Sequence, residues 1–225
     1  MTNSQSCQSQ KNLDKFVASI HQELLPNLKI KSIHPHNPVV VDPIAEPWQI
    51  LGTGNYAGVF CHSDYGELVV KIYAPGRSGW SEELEVYRRL GSHPAFSKCF
   101  YAENNFLVLQ RLSGITLYDC MHQGLKIPNQ VIKDIDLALE YARSRGLFPH
   151  DVHGRNVMMS DSKGLVVDVS DFLEKEPCLA WSDLKKAYYW LYLPLFSWHR
   201  LPLPYFVLDL VRINYRLFRR LLDNN

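Results

Sequence analysis

Three polar side chains flank a short predicted hairpin in residues 150–171, which read HDVHGRNVMMSDSKGLVVDVSD. They are Asp151, Asn156 and Asp168. The apolar runs 157–159 and 165–169 are typical of short strands, and the SDSKG segment between them is typical of a turn. Because a hairpin returns the chain to where it started, the three side chains are expected at one end of it. Carboxylate and amide oxygens are hard ligands, so the sequence predicts that ligands for a hard cation converge there.

A glycine-bearing segment, LGTGNYAGVF at residues 51–60, lies between two strand-like runs. Glycines that open a helix indicate a dinucleotide fold or a P-loop, but these glycines have a strand–turn–strand context. A glycine hairpin can lie over the phosphates of ATP, because few side chains keep its N–H groups away from a ligand. An ordinary hairpin without a ligand is the alternative. The candidate nucleotide contacts here are Gly52, Gly54, Tyr56, Ala57, Gly58, Val59 against the adenine, and Val69 on the following strand.

An isolated lysine, Lys71, follows the apolar run of the next predicted strand, LVVKIY. Its ammonium group would reach the α- and β-phosphates of a nucleotide held by the glycine hairpin. A helix is predicted over SEELEVYRRL with Ser81 as its N-cap, and Glu83 on that helix would pair with Lys71 and aim it at phosphate. Glu82 and Glu85 are competing partners, and plain surface charge is the alternative for all three acids.

The order of predicted elements is β-rich first and helical later. Helix is predicted at 11–25 and 128–147, and strands are predicted at 48–73 and 99–110. The strand NFLVLQ runs into a polar, glycine-containing stretch, as a linker between lobes would, and the backbone at Gln110 and Leu112 could hydrogen-bond an adenine edge. The predicted divisions are an N-terminal helix and extension at 1–47, a first lobe at 48–112 and a second at 113–225.

In this order, the glycine hairpin, the lysine strand, the glutamate helix, the linker and the Asp–Asn–Asp cluster resemble the protein-kinase-like superfamily over roughly residues 48–185. In that family the pattern H-R-D-L-x-x-x-N, followed by D-F-G, supplies a catalytic aspartate and two metal ligands. The resemblance implies that Asp151 is the catalytic aspartate and that Asn156 and Asp168 hold Mg²⁺. It also implies an α+β, bilobal protein-kinase-like fold with a β-rich N-lobe and a shortened helical C-lobe, using ATP as co-substrate.

Departures from the common kinase pattern indicate a compact, atypical kinase of bacterial type. The loop D-V-H-G-R-N is more similar to the D-L-H-x-x-N loops of RIO-type, lipopolysaccharide-type and aminoglycoside-type kinases. Asp168-Val169-Ser170 stands where D-F-G is usual, and no A-P-E follows. We therefore expect a helical lobe without the usual large substrate-docking part. Asp183 in the WSDL segment is a candidate for holding the catalytic-loop backbone, with a plain helix N-terminal acid as the alternative.

The resemblance implies transfer of the γ-phosphate of Mg–ATP to a hydroxyl acceptor, with a protein serine or threonine as the first reading. A small molecule or a lipid-linked sugar is the alternative acceptor. A nucleotide-binding pseudokinase that acts as an interaction module is the alternative of another class, and the joint presence of Lys71, Asp151, Asn156 and Asp168 argues against it.

Regulation by an activation loop is not expected. In many protein kinases an arginine immediately before the catalytic aspartate pairs with a phosphate on that loop. Here His150 holds that place, and only residues 169–180 separate Asp168 from Trp181. The sequence therefore predicts a kinase that needs no loop phosphorylation. Phosphorylation of Ser170 that controlled activity would contradict this prediction.

Composition argues against several other classes of protein. The formal net charge is only +1, so no global basic field favours nucleic acid as a partner. The five cysteines include no C-x-x-C pair, which favours reduced thiols over disulfides or zinc. The polar start MTNSQSCQSQ lacks an apolar signal region. From these features we expect a cytoplasmic protein.

One aromatic- and leucine-rich stretch, residues 187–211, resembles a membrane segment at first sight. Prolines, His199 and Arg200 interrupt it well before the ~20 residues that a membrane helix needs, so no transmembrane segment is expected. We expect two core helices that meet at a proline-rich elbow. An interfacial helix in peripheral contact with a membrane is the alternative.

Overall fold

The structure is a computed structural model that describes residues 3–34, 37–195 and 201–223. The chain divides into two compact units, residues 1–112 and residues 113–225. The first unit is built around a sheet and the second around helices with a small sheet. The fold is therefore α+β, as the sequence predicted.

The first unit contains a five-stranded antiparallel sheet in the order β3-β4-β5-β7-β6 and a separate pair, β1-β2. Strand β7 is almost entirely buried, which is why its sequence is a continuous apolar run instead of an alternating one. The elements are α1 (Asn3–Ser19), β1 (Ile30–Lys31), β2 (Val40–Val41), β3 (Trp48–Thr53), β4 (Ala57–His62), β5 (Leu68–Tyr73), α2 (Trp80–Leu90), β6 (Cys99–Glu103) and β7 (Phe106–Gln110).

The N-terminal helix packs into the core of this sheet. Phe16, Ile20 and Leu24 recur at helical spacing and are buried together with Trp48 and Phe60. Burial of side chains of this size contributes about 1.5–3 kcal/mol each. The helix begins earlier than the predicted 11–25 and ends in a π-helical turn at Ile20–Leu24.

Helix α2 begins one residue before the predicted N-cap. Gly79 occupies the N-cap position with φ 110°, and Trp80 is already helical. The indole Nε1 of Trp80 donates to the carbonyl of Phe106 at 3.0 Å, a tertiary contact that holds the first turn. Ser81 Oγ donates to Glu82 instead of capping the helix, so the N-cap prediction was wrong.

The second unit contains a three-stranded sheet in the order β10-β9-β8 and most of the remaining helices. A π-helical turn at Tyr188–Tyr192 joins α5 to α6. The elements are β8 (Ile115–Thr116), α3 (Leu117–His122), α4 (Asn129–Ser144), β9 (Val157–Ser160), β10 (Lys163–Val166), α5 (Ala180–Ala187), α6 (Leu193–Leu195) and α7 (Tyr205–Asp223).

The predicted hairpin exists, but its turn is shorter than the predicted 160–164. Asp161 and Ser162 alone form the turn, with φ 47° and 63°. Two-residue hairpin turns favour this left-handed conformation because it matches the twist of the strands. Gly164 lies within β10 instead, where an added Cβ would lie 2.3 Å from the carbonyl oxygen of Val131 in α4. Helix α4 can pack this closely on the hairpin only because residue 164 is glycine.

The prediction of two core helices within 187–211 is supported only in part, because helical turns near its two ends bury Tyr188, Tyr192 and Leu208. Residues 196–200 lie outside the described part of the chain. On either side of them, large apolar side chains are exposed, including Trp190 at 80% and Phe206 at 73%. Among the described helices, none combines the length and the apolar character that a membrane span requires.

Candidate active site

Lys71 and Glu83 form a buried ion pair in the first unit. Lys71 Nζ lies 2.7 Å from Glu83 Oε2, and the glutamate side chain is completely buried. The hydroxyl of Tyr73 donates to the same carboxylate oxygen, and Lys71 Nζ lies 5.9 Å from the centre of the Tyr73 ring. Residues two apart on a strand share a face, so β5 presents Lys71 and Tyr73 together to α2.

The two competing glutamates of α2 have other contacts. Glu82 is exposed and accepts a hydrogen bond from Ser81. Glu85 accepts a hydrogen bond from Arg89 Nε at 2.9 Å, and this bond holds the pKa of Glu85 below its usual value. Glu83 is the carboxylate that contacts Lys71 because it lies on the buried face of α2, next to Val86.

Burial keeps a cysteine thiol neutral near this ion pair. Cys99 Sγ donates to the carbonyl of Tyr101 at 3.5 Å. Burial and, to a smaller extent, the negative charge of Glu83 raise the pKa of the Cys99 thiol to about 11. Cys99 therefore adds no second negative charge beside Glu83 at neutral pH.

The glycine hairpin joins β3 to β4, with a β-bulge between Ile50 and Gly52. An added Cβ would meet nothing within 4 Å at Gly52 and only the Ala57 carbonyl oxygen, 3.9 Å away, at Gly54. Packing within the protein therefore does not explain these two glycines. Gly58 differs, because its Cβ would lie 2.9 Å from the ring of Phe60. Gly58 is buried, and core packing accounts for it.

The apolar residues predicted to contact a nucleotide near the glycine hairpin differ in solvent exposure. Ala57 and Val69 are buried at 3% and 7% exposure, whereas Val59 is half-buried. Val59 lies directly across from Lys71 in the β4–β5 register, so the two side chains share one face of the sheet. Tyr56 is partly exposed, and its carbonyl accepts a hydrogen bond from Ala74 N at 2.9 Å.

Hydrogen bonds within the first unit already occupy backbone groups of Gln110 at the end of β7. Gln110 N donates to the carbonyl of Lys98 at 2.8 Å, and Ser97 Oγ donates to the carbonyl of Gln110 at 2.7 Å. An adenine contact from Gln110 is thus left to the second lone pair of its carbonyl. Leu112 follows the strand and is half-buried.

Asp151 in the second unit has an uncommon backbone conformation. Its φ is 51°, a left-handed value that aspartate and asparagine tolerate better than most residues. Its side chain is 46% exposed, and its Oδ2 lies 3.6 Å from His153 Nε2. Its carbonyl accepts a hydrogen bond from Asn156 Nδ2 at 3.0 Å. Backbone strain of this kind is frequent at functional sites.

Asn156 and Asp168 lie at the same end of the β9–β10 hairpin. Asn156 immediately precedes β9, and its carbonyl accepts a hydrogen bond from Val167 N at 2.9 Å, next to Asp168. Asp168 Oδ1 accepts from both N and Oγ of Ser170, at 3.1 Å and 2.9 Å. The contacts of Asn156 therefore link Asp151 to the residue that precedes Asp168.

Contacts from α3 and α7 hold the loop that contains this cluster. Arg155 Nη2 donates to Asp209 Oδ1 at 2.8 Å, and the Arg155 guanidinium stacks over the Tyr118 ring at 4.1 Å. Tyr118 N donates to the carbonyl of Gly154 at 2.9 Å, and Tyr118 Oη donates to Asp209 Oδ1 at 2.8 Å. Tyr118 and Asp209 were not predicted, because no local sequence pattern connects them to the loop. Tyr73 could have been found from its spacing to Lys71.

Asp183, the candidate for holding the loop backbone, lies in α5. Its Oδ2 accepts a hydrogen bond from Tyr215 Oη at 3.0 Å, and its Oδ1 lies 3.4 Å from Lys186 Nζ. These contacts link α5 to α7. The proposed contact of Asp183 with the catalytic loop stays a prediction.

A curated protein and a solved structure illustrate what this chain is similar to. No family model matches the chain. The chain is 28% identical over 176 residues to the "Putative serine/threonine-protein kinase YrzF" of Bacillus subtilis (strain 168), a match that covers 76% of this chain and 80% of that protein. The PknI kinase domain of Mycobacterium tuberculosis, solved in a mutant form, matches with 21% identity and a TM-score of 0.44. That match covers 59% of this chain and 62% of the kinase domain.

The candidate site residues follow one another along the chain in two groups. A lysine on the third strand of the main sheet pairs with a buried glutamate of the following helix. A loop with aspartate and asparagine five residues apart precedes a hairpin that ends at a further aspartate. This arrangement accompanies a match to a kinase-named relative over most of both chains, so the chain is similar to proteins of the protein-kinase-like superfamily.

Proposed function

We propose that this protein is a Mg–ATP-dependent phosphotransferase that transfers the γ-phosphate to a hydroxyl group, with serine or threonine of a protein as the acceptor. The buried Lys71–Glu83 pair is the observation that carries this proposal. Removing two charges from water costs several kcal/mol per ion, so such a pair is a poor means of stabilising a sheet alone. It is well suited to holding an ammonium group in one position against phosphate oxygens.

The glycine hairpin provides the second element of a nucleotide site. Gly52 and Gly54 leave space above the backbone, where N–H groups can approach phosphates. Val59, across from Lys71 on the same face, is placed to contact an adenine ring. The remaining proposed nucleotide contacts are Tyr56, Ala57, Gly58, Val69, Gln110 and Leu112. Of these, Ala57 and Gly58 are buried in the first unit.

The residues at the hairpin end fit Mg²⁺. The amide nitrogen of Asn156 is engaged with the Asp151 carbonyl, which leaves its amide oxygen as the ligand atom. Asp168 adds one carboxylate, and Mg²⁺ in phosphate-transfer sites commonly takes one or two carboxylates together with phosphate oxygens and water. No cluster of three or more His, Cys, Asp or Glu suited to a metal occurs among the residues that the structure describes, so an all-protein metal cage is not proposed. Bound Mg²⁺ would neutralise charge on the phosphates.

Asp151 is proposed to act on the acceptor. Its exposed carboxylate lies outside the proposed ligand pair and can accept the proton of the acceptor hydroxyl. The hydroxyl oxygen then forms a bond to the γ-phosphorus while the bond from that phosphorus to the β–γ bridging oxygen breaks. ADP leaves with the electron pair of the broken bond. Positioning and charge stabilisation supply most of the acceleration in such reactions, so Lys71 matters as much as the base.

The name of the Bacillus relative supports a protein acceptor. The loop D-V-H-G-R-N supports the alternative, because it is more similar to the loops of RIO-type, lipopolysaccharide-type and aminoglycoside-type kinases. A small molecule or a lipid-linked sugar is therefore the competing acceptor class. A comparison of phosphate transfer to protein substrates and to free sugar alcohols distinguishes the two.

The decisive experiment uses the full chain with radiolabelled ATP, with and without Mg²⁺. We expect Mg²⁺-dependent ATP binding in a thermal-shift titration, and transfer of label to a protein acceptor or to the protein itself. The matched variants are Asp151→Asn and Asp161→Asn, which change the same residue type at two left-handed positions. Transfer should be lost only in the first. ATP binding without any transfer to protein, sugar or water would favour the pseudokinase instead.

A further inference from the structure

Helix α7 attaches to the second unit through the buried Leu208 and through polar contacts on the same side of the helix. Asp209 accepts hydrogen bonds from Tyr118 and Arg155, each at 2.8 Å, and Tyr215 donates to Asp183 at 3.0 Å. A further contact of this kind is Tyr205 Oη donating to Asp119 Oδ1 at 3.1 Å. These bonds reverse the usual arrangement, in which an amphipathic helix turns its apolar stripe toward the protein.

The opposite side of α7 is an exposed apolar stripe, which we define as Phe206, Leu210, Ile213 and Leu217. Their spacing places them in one narrow sector of the helix surface. Their exposed fractions are 73%, 58%, 50% and 51%. Among the side chains of α7 that the structure describes, only Leu208 is buried. Contiguous exposed apolar side chains of this kind mark interaction sites.

The charges of α7 indicate what covers the stripe. The helix contains four arginines against two aspartates, although the chain as a whole carries a net charge of only +1. One of those aspartates, Asp209, already pairs with Arg155 inside the unit and lies 3.6 Å from Arg212 of the same helix. Positions 216 and 220 follow Ile213 and Leu217 by three residues, which places two arginine positions beside the stripe along the helix.

We propose that α7 docks on an anionic phospholipid bilayer, with the exposed stripe in the interfacial region and the arginine positions 216 and 220 on the flank nearest the headgroups. Interfacial helices combine an apolar stripe with a basic flank in this way, and they lie in the membrane plane without spanning it. Basic residues near an anionic surface contribute about 1 kcal/mol each. A second copy of the chain is a poorer occupant, because pairing through this face would bring two sets of arginines together.

Vesicle flotation of the full chain tests the docking. Phosphatidylcholine vesicles are compared with vesicles in which about a third of the lipid is phosphatidylglycerol. We expect at least about tenfold tighter binding to the anionic vesicles and weakening at high salt. The double variant Leu210→Glu/Ile213→Glu should lose at least about tenfold in binding. Leu137→Glu is the matched control, since Leu137 is 61% exposed on α4, and it should bind like the unchanged protein.

A second measurement does not depend on how the charged variant folds. Phe206→Trp adds a fluorophore to the stripe, and its emission should shift to the blue with anionic vesicles, whereas that of Leu137→Trp should not. Absence of binding to anionic vesicles, equal binding to both kinds of vesicle, or binding that the Glu variant leaves unchanged would each overturn the proposal. So would a dimer in solution that the Glu variant dissociates while vesicles have no effect.

Discussion

Lys71 Nζ lies 2.7 Å from Glu83 Oε2, and the glutamate side chain has no exposed surface. Because Lys71 itself is only 12% exposed, loss of its partner leaves a poorly solvated positive charge. Lys71 would then also lose the contact that fixes its position.

Glu83→Gln should therefore lower the free energy of unfolding by about 3 kcal/mol and weaken ATP binding. Glu82→Gln makes the same chemical change one residue earlier at an exposed site, and it should alter stability by no more than about 0.5 kcal/mol. Urea unfolding followed by circular dichroism measures both. Similar stability losses in the two variants would show that the buried pair has no special importance.

Asp151→Asn should retain the fold, because asparagine tolerates the left-handed backbone at this position as well as aspartate does. ATP affinity should be unchanged, while turnover should fall by about 10²–10⁴ through loss of the general base. Asp161→Asn, at φ 47° in the hairpin turn, is the control and should keep full turnover. An undiminished rate for Asp151→Asn would remove this residue from the mechanism.

Asp168→Ala should abolish the dependence of ATP affinity on Mg²⁺, because it removes the one carboxylate assigned to the metal. The substitution also removes two hydrogen bonds from Ser170. Ser170→Ala removes the hydroxyl bond alone and should keep the Mg²⁺ dependence. Calorimetric titration of ATP with and without Mg²⁺ measures both variants. If Mg²⁺ still strengthened ATP binding to Asp168→Ala, another residue would be the ligand.

The unmodified protein should already be fully active. Ser170 Oγ donates to Asp168 at 2.9 Å, and a phosphate at this hydroxyl would abolish that bond and place negative charge beside the proposed metal ligand. Protein made in a host without other kinases should therefore show the same activity before and after phosphatase treatment. A large loss of activity that maps to Ser170 would identify the short 169–180 segment as a switch.

Asp209→Asn should slow turnover by up to about tenfold through its effect on Arg155 in the loop. Stability should change by no more than about 1 kcal/mol, because the side chains of the pair are 40% and 38% exposed. Asp209 is a positioning residue, so kcat should fall while the KM for ATP stays constant. Asp209→Glu should restore part of the rate. Equal losses for both variants, accompanied by unfolding, would indicate a purely structural role.

The local patterns of the sequence predicted much of the chain correctly. The strands on both sides of the glycine hairpin follow from their residue types and turns, and the β9–β10 hairpin follows from two apolar runs around polar residues. Period-2 spacing carries Lys71 and Tyr73 to one face of β5. Such features depend on neighbours a few residues away, so single-chain periodicity is enough to predict them.

Only the tertiary structure decided which partners these elements meet. Three glutamates of α2 were candidates for Lys71, and the packing of the helix on the sheet buried Glu83 while Glu82 stayed in solvent. Asp209 meets Arg155 from 54 residues away, a contact that no local spacing encodes. The sequence of α7 shows an apolar stripe, but hydrogen bonds on its other side turn that stripe outward. Periodicity determines that a helix has an apolar face, whereas the contacts of its polar face with the rest of the fold decide where that face points.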